Sequence, residues 1–460
     1  MLSKRMIFFF LAFLCAAAFG CAGCRDGKPH SGPQPPVPPR PRPNILFITV
    51  DALRADYTGR IGGKPFTRAL DEASDMGVLF SQCVSSTSVT GPSISAMMTG
   101  SMPHRINSQF NAMPLDPRLF TLAEILDSAG YDTAGFPGTS LLSSDYGFQQ
   151  GFDFFDDTFD RTEYATNYWK PGEIITESLI RWIDNRKSRK PFFAWIHYFD
   201  PHDPYIAHYG ERAGQEYTYE FLNDLYIRQD PGLVQAELDG ILEFYSQEVF
   251  YTDRQIARVL KHIRDKGLLA NTLVVITADH GEELFQHDLF HGHGRSLHHT
   301  ALHVPLVIMF PGKKYAGTRV DTTVRTIDIF PTILEQAGQR APRSAQGRSL
   351  LPLITGAERA PRPAFSTREP LSFYKNGRAA ALTEAEWKFI YFEKEPGRLY
   401  NLKKDPKEFE DAAGSNPAVV KRMRAQTLKN TLDDPGYIPP VEPEFRGRDY
   451  RMLKSLGYLK

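Results

Sequence analysis

The stretch NILFITVDA, residues 44–52, is an apolar run that ends at an aspartate, Asp51. A continuous apolar run of this length is typical of a strand that is buried on both faces, as the strands of parallel sheets are. Comparable runs occur at PFFAWIHYF (191–199), NTLVVITADHG (271–281) and VPLVIMF (304–310). The sequence therefore predicts several buried strands of one large, mainly parallel sheet.

Segments of helical pattern lie between these runs, at LFTLAEILDSAG (119–130), EIITESLIRWIDNRK (173–187), SQEVFYTDRQIARVLKHIRDKG (246–267) and RTIDIFPTILEQAG (325–338). Strands that alternate with helices predict a doubly wound α/β domain, which we assign to residues 44–340. The segment 379–411 instead has short strands and turns without crossover helices. We therefore expect residues 341–460 to form a smaller C-terminal α+β subdomain that contains an antiparallel sheet.

The first 24 residues, MLSKRMIFFFLAFLCAAAFGCAGC, combine a short basic region with an apolar run, which is the layout of a signal peptide. Small residues precede Cys21 and Cys24, and this pattern resembles the lipobox of bacterial lipoproteins, in which the cysteine after the cleavage site is acylated. An ordinary cleaved signal and an uncleaved anchor helix are the alternatives, although the run is short for a membrane span. We expect a lipoprotein that is exported across the inner membrane and anchored in the periplasm or at the cell surface.

Residues 25–43 form a proline-rich segment, whose composition is typical of an extended, semi-rigid linker. Simple disorder without a spacing role is the alternative. Cys83 is the one cysteine after this segment, which argues against a disulfide framework. Lys plus Arg equals Asp plus Glu at 54 each, so the overall charge provides no attraction to nucleic acid.

Polar side chains recur where the predicted strands end. Three strand ends carry them: Asp51, then Asp200 with His202, then Asp279 with His280. Ligands of open parallel sheets bind outside the carboxyl ends of the strands, so these side chains are expected to meet in one crevice. Any one of them alone would be an ordinary turn or capping residue. Their predicted convergence indicates a functional site.

Six motifs in this order resemble those of the sulfatase branch of the alkaline phosphatase superfamily: PNILFITVDALRADY (43–57), TGPSISAMMTG (90–100), HYFDPHDPY (197–205), ITADHGEEL (276–284), HGHGRSLHHTALHVPL (291–306) and WKFIYFEKEPGRLYNLKKDPKEFED (387–411). The resemblance covers nearly the whole chain after the linker, including the C-terminal subdomain. It implies an alkaline phosphatase-like fold and a metal-dependent hydrolase or transferase that acts on anionic esters.

Carried over residue by residue, the resemblance implies a divalent metal ion bound by Asp51, Asp279 and His280. The same resemblance puts Thr90 at the nucleophile position, with its oxygen near the metal. His202 corresponds to a histidine that contacts the ester group. These five residues are the core of the predicted site.

The histidine-rich stretch HDLFHGHGRSLHH (287–299) supplies the remaining candidates. His293 lies near the position of the family's substrate-binding lysine or histidine, and His291 is its rival; Asp200 is a further substrate-binding candidate. A solvated loop is the alternative explanation of this stretch. A second metal ion also remains open, and it would need Asp200, His202 and either His291 or His293.

The nucleophile motif departs from the family pattern. True sulfatases resemble C-x-P-S-R, in which Cys or Ser is oxidised to formylglycine, whereas this chain has Thr90, Gly91, Pro92, Ser93 and Ile94. Oxidation of a threonine hydroxyl would produce a ketone and not an aldehyde. Thr90 therefore resembles the direct threonine nucleophile of nucleotide pyrophosphatases and of phosphoglycerol transferases. A helix cap is the alternative role of a threonine at this point.

The implied metal ligands also depart from the usual set, because Ala52 replaces the second aspartate after the first strand. With an imidazole, His280, among the ligands, we expect Mn²⁺ or Zn²⁺ to be preferred over Ca²⁺, which favours all-oxygen shells. The metal would activate the Thr90 alcohol. The start of the following helix would direct backbone N–H groups at the ester oxygens.

The resemblance and the threonine together predict an extracytoplasmic, metal-dependent hydrolase or transferase of phosphoric-type esters that works through a covalent Thr90 intermediate. The expected substrate is an anionic ester of a glycan, a lipid headgroup or a small molecule. A sulfuric-ester hydrolase is the alternative. A non-catalytic binding protein on the same fold is a further alternative.

Overall fold

The computed structural model describes residues 42–159, 168–228, 230–287, 291–369, 376–440 and 443–455. The chain divides into the segments 1–41 and 42–460, and the first of these lies outside the described residues. The predicted signal peptide, the acylation candidates Cys21 and Cys24, and nearly all of the linker therefore stay predictions.

The described strands are β1 Asn44–Val50, β2 Val78–Val84, β3 Asp132–Phe136, β4 Phe154–Phe155, β5 Phe192–Tyr198, β6 Tyr205–Ile206, β7 Glu216–Tyr217, β8 Thr272–Ala278, β9 Glu283–Leu284, β10 His291–Gly292, β11 His303–Met309, β12 Thr318–Val320, β13 Val324–Arg325, β14 Ala364–Arg368, β15 Ala379–Thr383, β16 Trp387–Phe392 and β17 Arg398–Asn401. The described α-helices are α1 Gly59–Gly62, α2 Arg68–Met76, α3 Thr90–Thr99, α4 Leu122–Ser128, α5 Gly172–Asn185, α6 Tyr219–Arg228, α7 Pro231–Asp265, α8 His299–Leu302, α9 Ile329–Gln336, α10 Leu351–Ile354, α11 Pro417–Asn430 and α12 Gly447–Ser455. The helix predicted at 246–267 is the second half of α7, which begins at Pro231 behind an Asp230 side-chain cap.

The central sheet has the strand order β12, β2, β11, β8, β1, β5, β3 and β4, and β13 also pairs with β2. The strands β8, β1, β5, β3 and β4 are parallel to one another. In contrast, β11 is antiparallel to both β2 and β8. The predicted mainly parallel α/β fold is confirmed. The direction of β11 could not be predicted, because an apolar run has the same composition in either direction.

The centre of the sheet is formed by β1, β5 and β8, and every side chain of β5 and β8 is buried. Burying a Val, Leu, Ile or Phe side chain contributes about 1.5–3 kcal/mol, so these strands form a stable platform. On the flanks, α5 packs on β5 and α7, and α2 packs on β11 and α7. The polar residues at the strand ends are therefore held on the most buried part of the fold.

The C-terminal antiparallel sheet has the order β14, β15, β16, β17, which confirms the predicted antiparallel element. Its edge strand β14 supports the segment that leads into α3. The Thr367 N–H donates to Ser86 O at 2.9 Å, and the Ser366 hydroxyl donates to Ser85 O at 2.6 Å. The C-terminal sheet thereby fixes the backbone just ahead of Thr90.

Within the described part of the chain, none of the helices combines the length and the apolar character that crossing a membrane requires.

Candidate active site

Two aspartates emerge side by side from the centre of the sheet. In the register of β1 and β8, Val50 is paired with Ala278, so that Asp51 and Asp279 follow directly at the carboxyl edge. The backbone continues this alignment, because the Asp279 N–H donates to Val50 O at 3.2 Å. Strand pairing alone therefore brings these two predicted metal ligands together.

Thr90 and His280 complete a compact cluster with these carboxylates. The Thr90 Oγ1 lies 3.1 Å from His280 Nε2 and 3.4 Å from Asp51 Oδ2. His280 Nε2 is in turn 3.5 Å from Asp51 Oδ1 and 3.4 Å from Asp279 Oδ2. All four side chains are completely buried. The four residues predicted to surround one metal ion thus lie together, in a cluster that we call the Thr90 cluster.

The Thr90 cluster has donor atoms that fit a divalent cation. His280 Nδ1 lies 2.9 Å from Gly281 O, which can only accept, so Nδ1 carries the proton and Nε2 presents its lone pair to the cluster. Asp51 Oδ1 and Asp279 Oδ2 are buried without a hydrogen-bond partner. Two ligands of a tetrahedral ion with bonds of about 2.1 Å lie about 3.4 Å apart. The spacing and the two orphaned oxygens both match a bound metal.

Burial sets the protonation of this cluster when no metal is bound. It raises the pKa of Asp51 to about 7, and burial together with the Asp51 charge raises the pKa of Asp279 well above its usual range. Burial, with His293 adding to the effect, lowers the pKa of His280 well below its usual value. Without a metal these carboxyls therefore tend to hold protons, and a bound cation would keep both of them ionised beside the neutral imidazole.

His197 is a member of this site that the sequence did not reveal. It lies on β5 opposite Thr49 of β1, with its Nε2 3.3 Å from Asp51 Oδ2 and its Nδ1 2.9 Å from Thr49 Oγ1. Ligand atoms of His197, Asp51 and Asp279 all lie within 4.8 Å of one another. Burial lowers the pKa of His197 to about 4, so the ring is neutral. From this position His197 would be able to orient Asp51 by a hydrogen bond, or to act as a further metal ligand in place of the aspartate that Ala52 replaces.

We expect the His197→Ala variant to bind Mn²⁺ about 10- to 100-fold more weakly, because partners of metal ligands contribute this much to affinity. His197→Asn keeps a side-chain hydrogen-bond donor and should recover part of the loss. The dissociation constant, measured by competition with a chelator on the folded variants, provides the readout. Unchanged Mn²⁺ affinity of His197→Ala would rule out this role.

A second group of imidazoles borders the Thr90 cluster. The ring of His293 lies 4.2 Å from that of His280 and 4.7 Å from that of His202, centroid to centroid. His293 Nδ1 is 3.3 Å from Glu282, a fully buried carboxyl that the sequence analysis did not single out. Burial raises the pKa of Glu282 to about 8. His202 and His293 are thus close enough to the cluster to contact a bound ester.

His202 and His293 differ in protonation. Burial alone would lower the pKa of His202, but the Asp203 carboxylate, 2.8 Å from its Nδ1, overrides this and raises the pKa to about 10. Burial and the neighbouring His202 charge lower the pKa of His293 well below its usual value. The His202 ring is therefore protonated at neutral pH and can donate a proton, whereas the His293 ring is neutral and can donate or accept a hydrogen bond.

Asp200 and His291 do not lie where a second metal ion held together with His202 would require them. The carboxylate between His202 and His291 belongs to Asp203, whose Oδ2 is 3.2 Å from His291 Nε2. Asp200 instead turns toward α5, where its Oδ1 accepts from the Gly172 N–H at 2.8 Å. The motif DPHDP contains two aspartates, and the turn directs the second one inward. The described geometry thus offers no support for a second metal held by Asp200.

Another group of candidate metal ligands, His287, His298 and Glu408, lies near the C-terminal sheet. Its atoms already have partners. Glu408 bonds to Lys388 Nζ at 2.9 Å and to His298 Nδ1 at 2.9 Å, and His287 Nδ1 lies 3.0 Å from Glu283. This group is therefore explained as a buried ion-pair network that joins the histidine-rich loop to the C-terminal sheet.

The start of α3 supplies polar groups beside Thr90. The helix begins at Thr90, and Val89 precedes it without a side-chain cap. The Gly91 N–H donates to Asn111 Oδ1 at 2.7 Å, while the buried Asn111 Nδ2 has no hydrogen-bond partner in the described structure. A free amide donor next to a nucleophile is suited to an ester oxygen. Asn111 lies outside the six family motifs, so the sequence contained no indication that it reaches the site.

Comparison with known proteins agrees with this architecture. The model of the family described as "Sulfatase" matches residues 43–339, and that of "N-sulphoglucosamine sulphohydrolase, C-terminal" matches residues 286–434. The chain is 26% identical to arylsulfatase K of Danio rerio, over 90% of this chain and 88% of that one. It is 25% identical to N-acetylglucosamine-6-O-sulfatase of Bacteroides thetaiotaomicron, over 90% and 91%. The crystal structure of the phosphonate monoester hydrolase of Agrobacterium radiobacter has the same fold, with a TM-score of 0.67, 22% identity, and coverage of 84% and 96%.

Proposed function

This chain belongs to the sulfatase family and is an ester hydrolase of that family, and on this premise we propose that it cleaves anionic esters with the Thr90 hydroxyl as the attacking group. The observation that carries the proposal is the position of Thr90 Oγ1, 3.1 Å from His280 Nε2 and 3.4 Å from Asp51 Oδ2. An alcohol in this position is surrounded by the donor set for a divalent metal.

The residues that would hold the metal are Asp51, Asp279, His280 and Thr90. When bound, the metal supplies positive charge that favours the alkoxide of Thr90 and balances the charge of the ester. We propose Mn²⁺ or Zn²⁺ over Ca²⁺, because an imidazole is among the ligands. Metal ligands must be deprotonated. Because the pKa values of both carboxyls are raised, metal binding is expected to release protons from them.

The reaction then proceeds in two displacements. Thr90 Oγ1 forms a bond to the central phosphorus or sulfur as the ester oxygen leaves, and the Thr90 proton passes to Asp51 Oδ2. His202, which is protonated at neutral pH, donates a proton to the leaving oxygen. Water then attacks the same central atom and gives a proton to His202, which lost its own in the first displacement, while Asp51 returns its proton to Thr90 as the threonine oxygen leaves. His293 and Asn111 are assigned to bind the non-bridging oxygens.

Sulfate esters are the first candidate substrates, because the two relatives described above are sulfatases. One of them acts on N-acetylglucosamine 6-O-sulfate by its name. These names support a sulfuric-ester hydrolase acting on a sulfated sugar or small alcohol better than they support the phosphoric-ester expectation from the sequence. In this case the intermediate is a threonyl sulfate, which water attacks at sulfur.

Phosphoric esters, most simply diesters, are the second candidate, and Thr90 itself favours them. A formylglycine hydrate can release sulfate by collapsing to the aldehyde, whereas threonine has no such exit. A threonyl phosphate can be resolved by in-line attack of water, with the anionic oxygens stabilised by the site. Residue 90 therefore supports phosphoryl transfer on chemical grounds, against the names of the relatives.

Matched substrates separate the two candidates. With metal-loaded protein, we expect kcat/KM for an aryl sulfate to exceed that for the aryl phosphate diester with the same leaving group. A preference for the phosphate diester would overturn the first candidate and establish the second. Turnover of neither ester would favour the third reading, a non-catalytic binding protein.

We further propose that the enzyme works outside the cytoplasm, attached to the membrane through acylated Cys21 or Cys24. The support for this is the signal-like N-terminus and the small residues that precede both cysteines. The proline-rich residues 25–43 would hold the catalytic domain away from the membrane.

A further inference from the structure

Asp203 lies between two imidazoles, those of His202 and His291. Its Oδ1 is 2.8 Å from His202 Nδ1, and its Oδ2 is 3.2 Å from His291 Nε2. All three side chains are buried. Each oxygen of this carboxylate thus has an imidazole nitrogen as its partner, and we call the three residues the Asp203 triad.

The contacts of His202 determine which of its nitrogens can serve a substrate. The backbone oxygen of Asp203 also lies 2.7 Å from His202 Nδ1, so this nitrogen faces two oxygens that accept hydrogen bonds. Nδ1 therefore carries a proton. The ring is held in addition by Phe199, which stacks on it at 4.3 Å. A proton for an ester at Thr90 must then come from Nε2, which requires the doubly protonated, cationic ring.

Asp203 supplies the negative charge that this cation needs. Burial would raise the pKa of Asp203, but the charge of His202 and the hydrogen bonds from His202 and His291 override this and hold the pKa below its usual range. A buried imidazolium without a charged partner would instead lose its proton. The charge of His202 therefore depends on Asp203.

His291 is placed to hold Asp203. Its Nε2 faces a carboxylate oxygen, so this nitrogen donates the hydrogen bond. Aromatic side chains fix the position of the ring: Phe285 stacks on it at 5.3 Å with an interplanar angle of 17°, and Tyr205 meets it edge-on at 6.0 Å. The carboxylate of Asp203 is thereby oriented from the side opposite to His202.

An acid held in this way matters for some leaving groups only. Burial would lower the pKa of His202, but the Asp203 carboxylate raises it to about 10. A nitrophenol is a stronger acid than such a ring, so a departing nitrophenolate gains little from its proton. An unactivated alcohol is, like water, a much weaker acid, and its oxygen leaves more easily when it takes up a proton. The triad therefore suits a sugar or alkyl alcohol as the leaving group.

We propose that Asp203 and His291 are positioning residues that hold His202 as the proton donor for an unactivated leaving alcohol of the substrate. The inference rests on the proposed function, because it names the substrate class and the proton path of the same site. In the first displacement, the bond from the central phosphorus or sulfur to the alcohol oxygen breaks while the proton of His202 Nε2 passes to that oxygen. In the second, the attacking water returns a proton to Nε2.

Two esters of one acid separate this role from a merely structural one. The 4-nitrophenyl and 4-nitrobenzyl esters are similar in shape, but only the second releases an unactivated alcohol. We use esters of sulfuric acid or of methyl phosphate, whichever the metal-loaded wild type cleaves. We expect Asp203→Asn to lower kcat/KM about a hundredfold or more for the nitrobenzyl ester, as loss of a general acid does, and less than about tenfold for the nitrophenyl ester. Equal losses for the two esters would overturn the proposal.

A double-variant cycle shows whether Asp203 acts through His202. His202→Gln should give the same ester-selective loss, and the double variant of both residues should be no slower than His202→Gln alone. Losses that multiply would contradict the positioning role. His291→Leu should show a smaller loss with the same selectivity, and it provides a second test if Asp203→Asn does not fold. An unselective loss in folded His291→Leu would also count against the triad.

Asp184→Asn is the matched control, because it removes a carboxylate from another aspartate–histidine pair. Asp184 lies 3.0 Å from His262, near the end of α5 and before the start of β5, whereas the site lies beyond the end of β5. This variant should keep kcat/KM for both esters within about twofold of wild type, as expected for an exposed ion pair. An ester-selective loss in Asp184→Asn would show that the effect is not specific to the Asp203 triad.

A spectroscopic readout separates this inference from the proposed function. In Zn²⁺-loaded protein with isotope-labelled histidine at about pH 8, where an ordinary histidine is neutral, nuclear magnetic resonance reports the protons on each ring. The signals missing in His202→Gln identify His202, which should have two protonated nitrogens in the wild type and one in Asp203→Asn. This result in a protein that hydrolyses neither ester would uphold the triad and contradict the function. Hydrolysis of either ester by a wild type with a neutral His202 ring would uphold the function and overturn this inference.

Discussion

Replacing Thr90 with alanine is expected to lower kcat/KM by about two to four orders of magnitude, because the attacking oxygen is lost while the surrounding electrostatic stabilisation remains. Thr90→Ser keeps a hydroxyl and should retain most of the activity. The metal content of the alanine variant should stay within a fewfold of wild type, since Asp51, Asp279 and His280 are untouched. Steady-state kinetics with the better of the two aryl esters measures the effect.

Thr99 provides the matched control for this experiment. It lies at the last position of the same helix α3, where its hydroxyl donates to Ser95 O at 2.8 Å. Thr99→Ala removes the same atoms from a buried site without approaching the cluster. Full activity in Thr90→Ala, or an equal loss in Thr99→Ala, would show that the hydroxyl of Thr90 has no special role.

Replacing Asp279 with alanine is expected to release the metal and to lower activity by at least about a thousandfold, because the metal contributes several kcal/mol of charge stabilisation. Metal analysis of the purified variant should find less than a tenth of the wild-type content. Chelation should reproduce the loss, and Mn²⁺ or Zn²⁺ should restore the wild-type protein better than Ca²⁺. Full activity of a metal-free wild-type protein would contradict this role.

The pH dependence of metal binding provides a check on the same residues. The pKa of Asp51 is about 7 in the metal-free cluster, and the metal binds the ionised form. Metal affinity should therefore fall as the pH is lowered through 7, since the metal must displace a proton. Asp132→Asn, at the other end of the sheet, should leave both the affinity and its pH dependence unchanged.

Site residues that follow the ends of strands could be predicted from the sequence, whereas a site residue within a strand could not. Asp51, Asp279 and His280 were expected together, because parallel strands end at one edge and their order in the chain matched a family pattern. His197 lies within β5, whose side chains are all buried. The apolar run of the sequence therefore does not mark it as a site residue. Only the pairing of β5 with β1 brings it next to Asp51.

The remaining differences have similar physical causes. The motif DPHDP does not indicate which aspartate turns inward, and the structure directs Asp203 and not Asp200 toward His202 and His291. Asn111 and Glu282 reach the site through tertiary contacts that no local pattern encodes. The antiparallel direction of β11 likewise depends on its neighbours β2 and β8.

The central claim is that the Thr90 hydroxyl attacks the ester. The most direct test is rapid acid quenching of metal-loaded protein during turnover of an aryl sulfate or an aryl phosphate diester, followed by mass spectrometry of the peptides. The account predicts a sulfated or phosphorylated adduct on Thr90 that is absent in Thr90→Ala. An adduct on another residue, or turnover by Thr90→Ala at the wild-type rate, would contradict it.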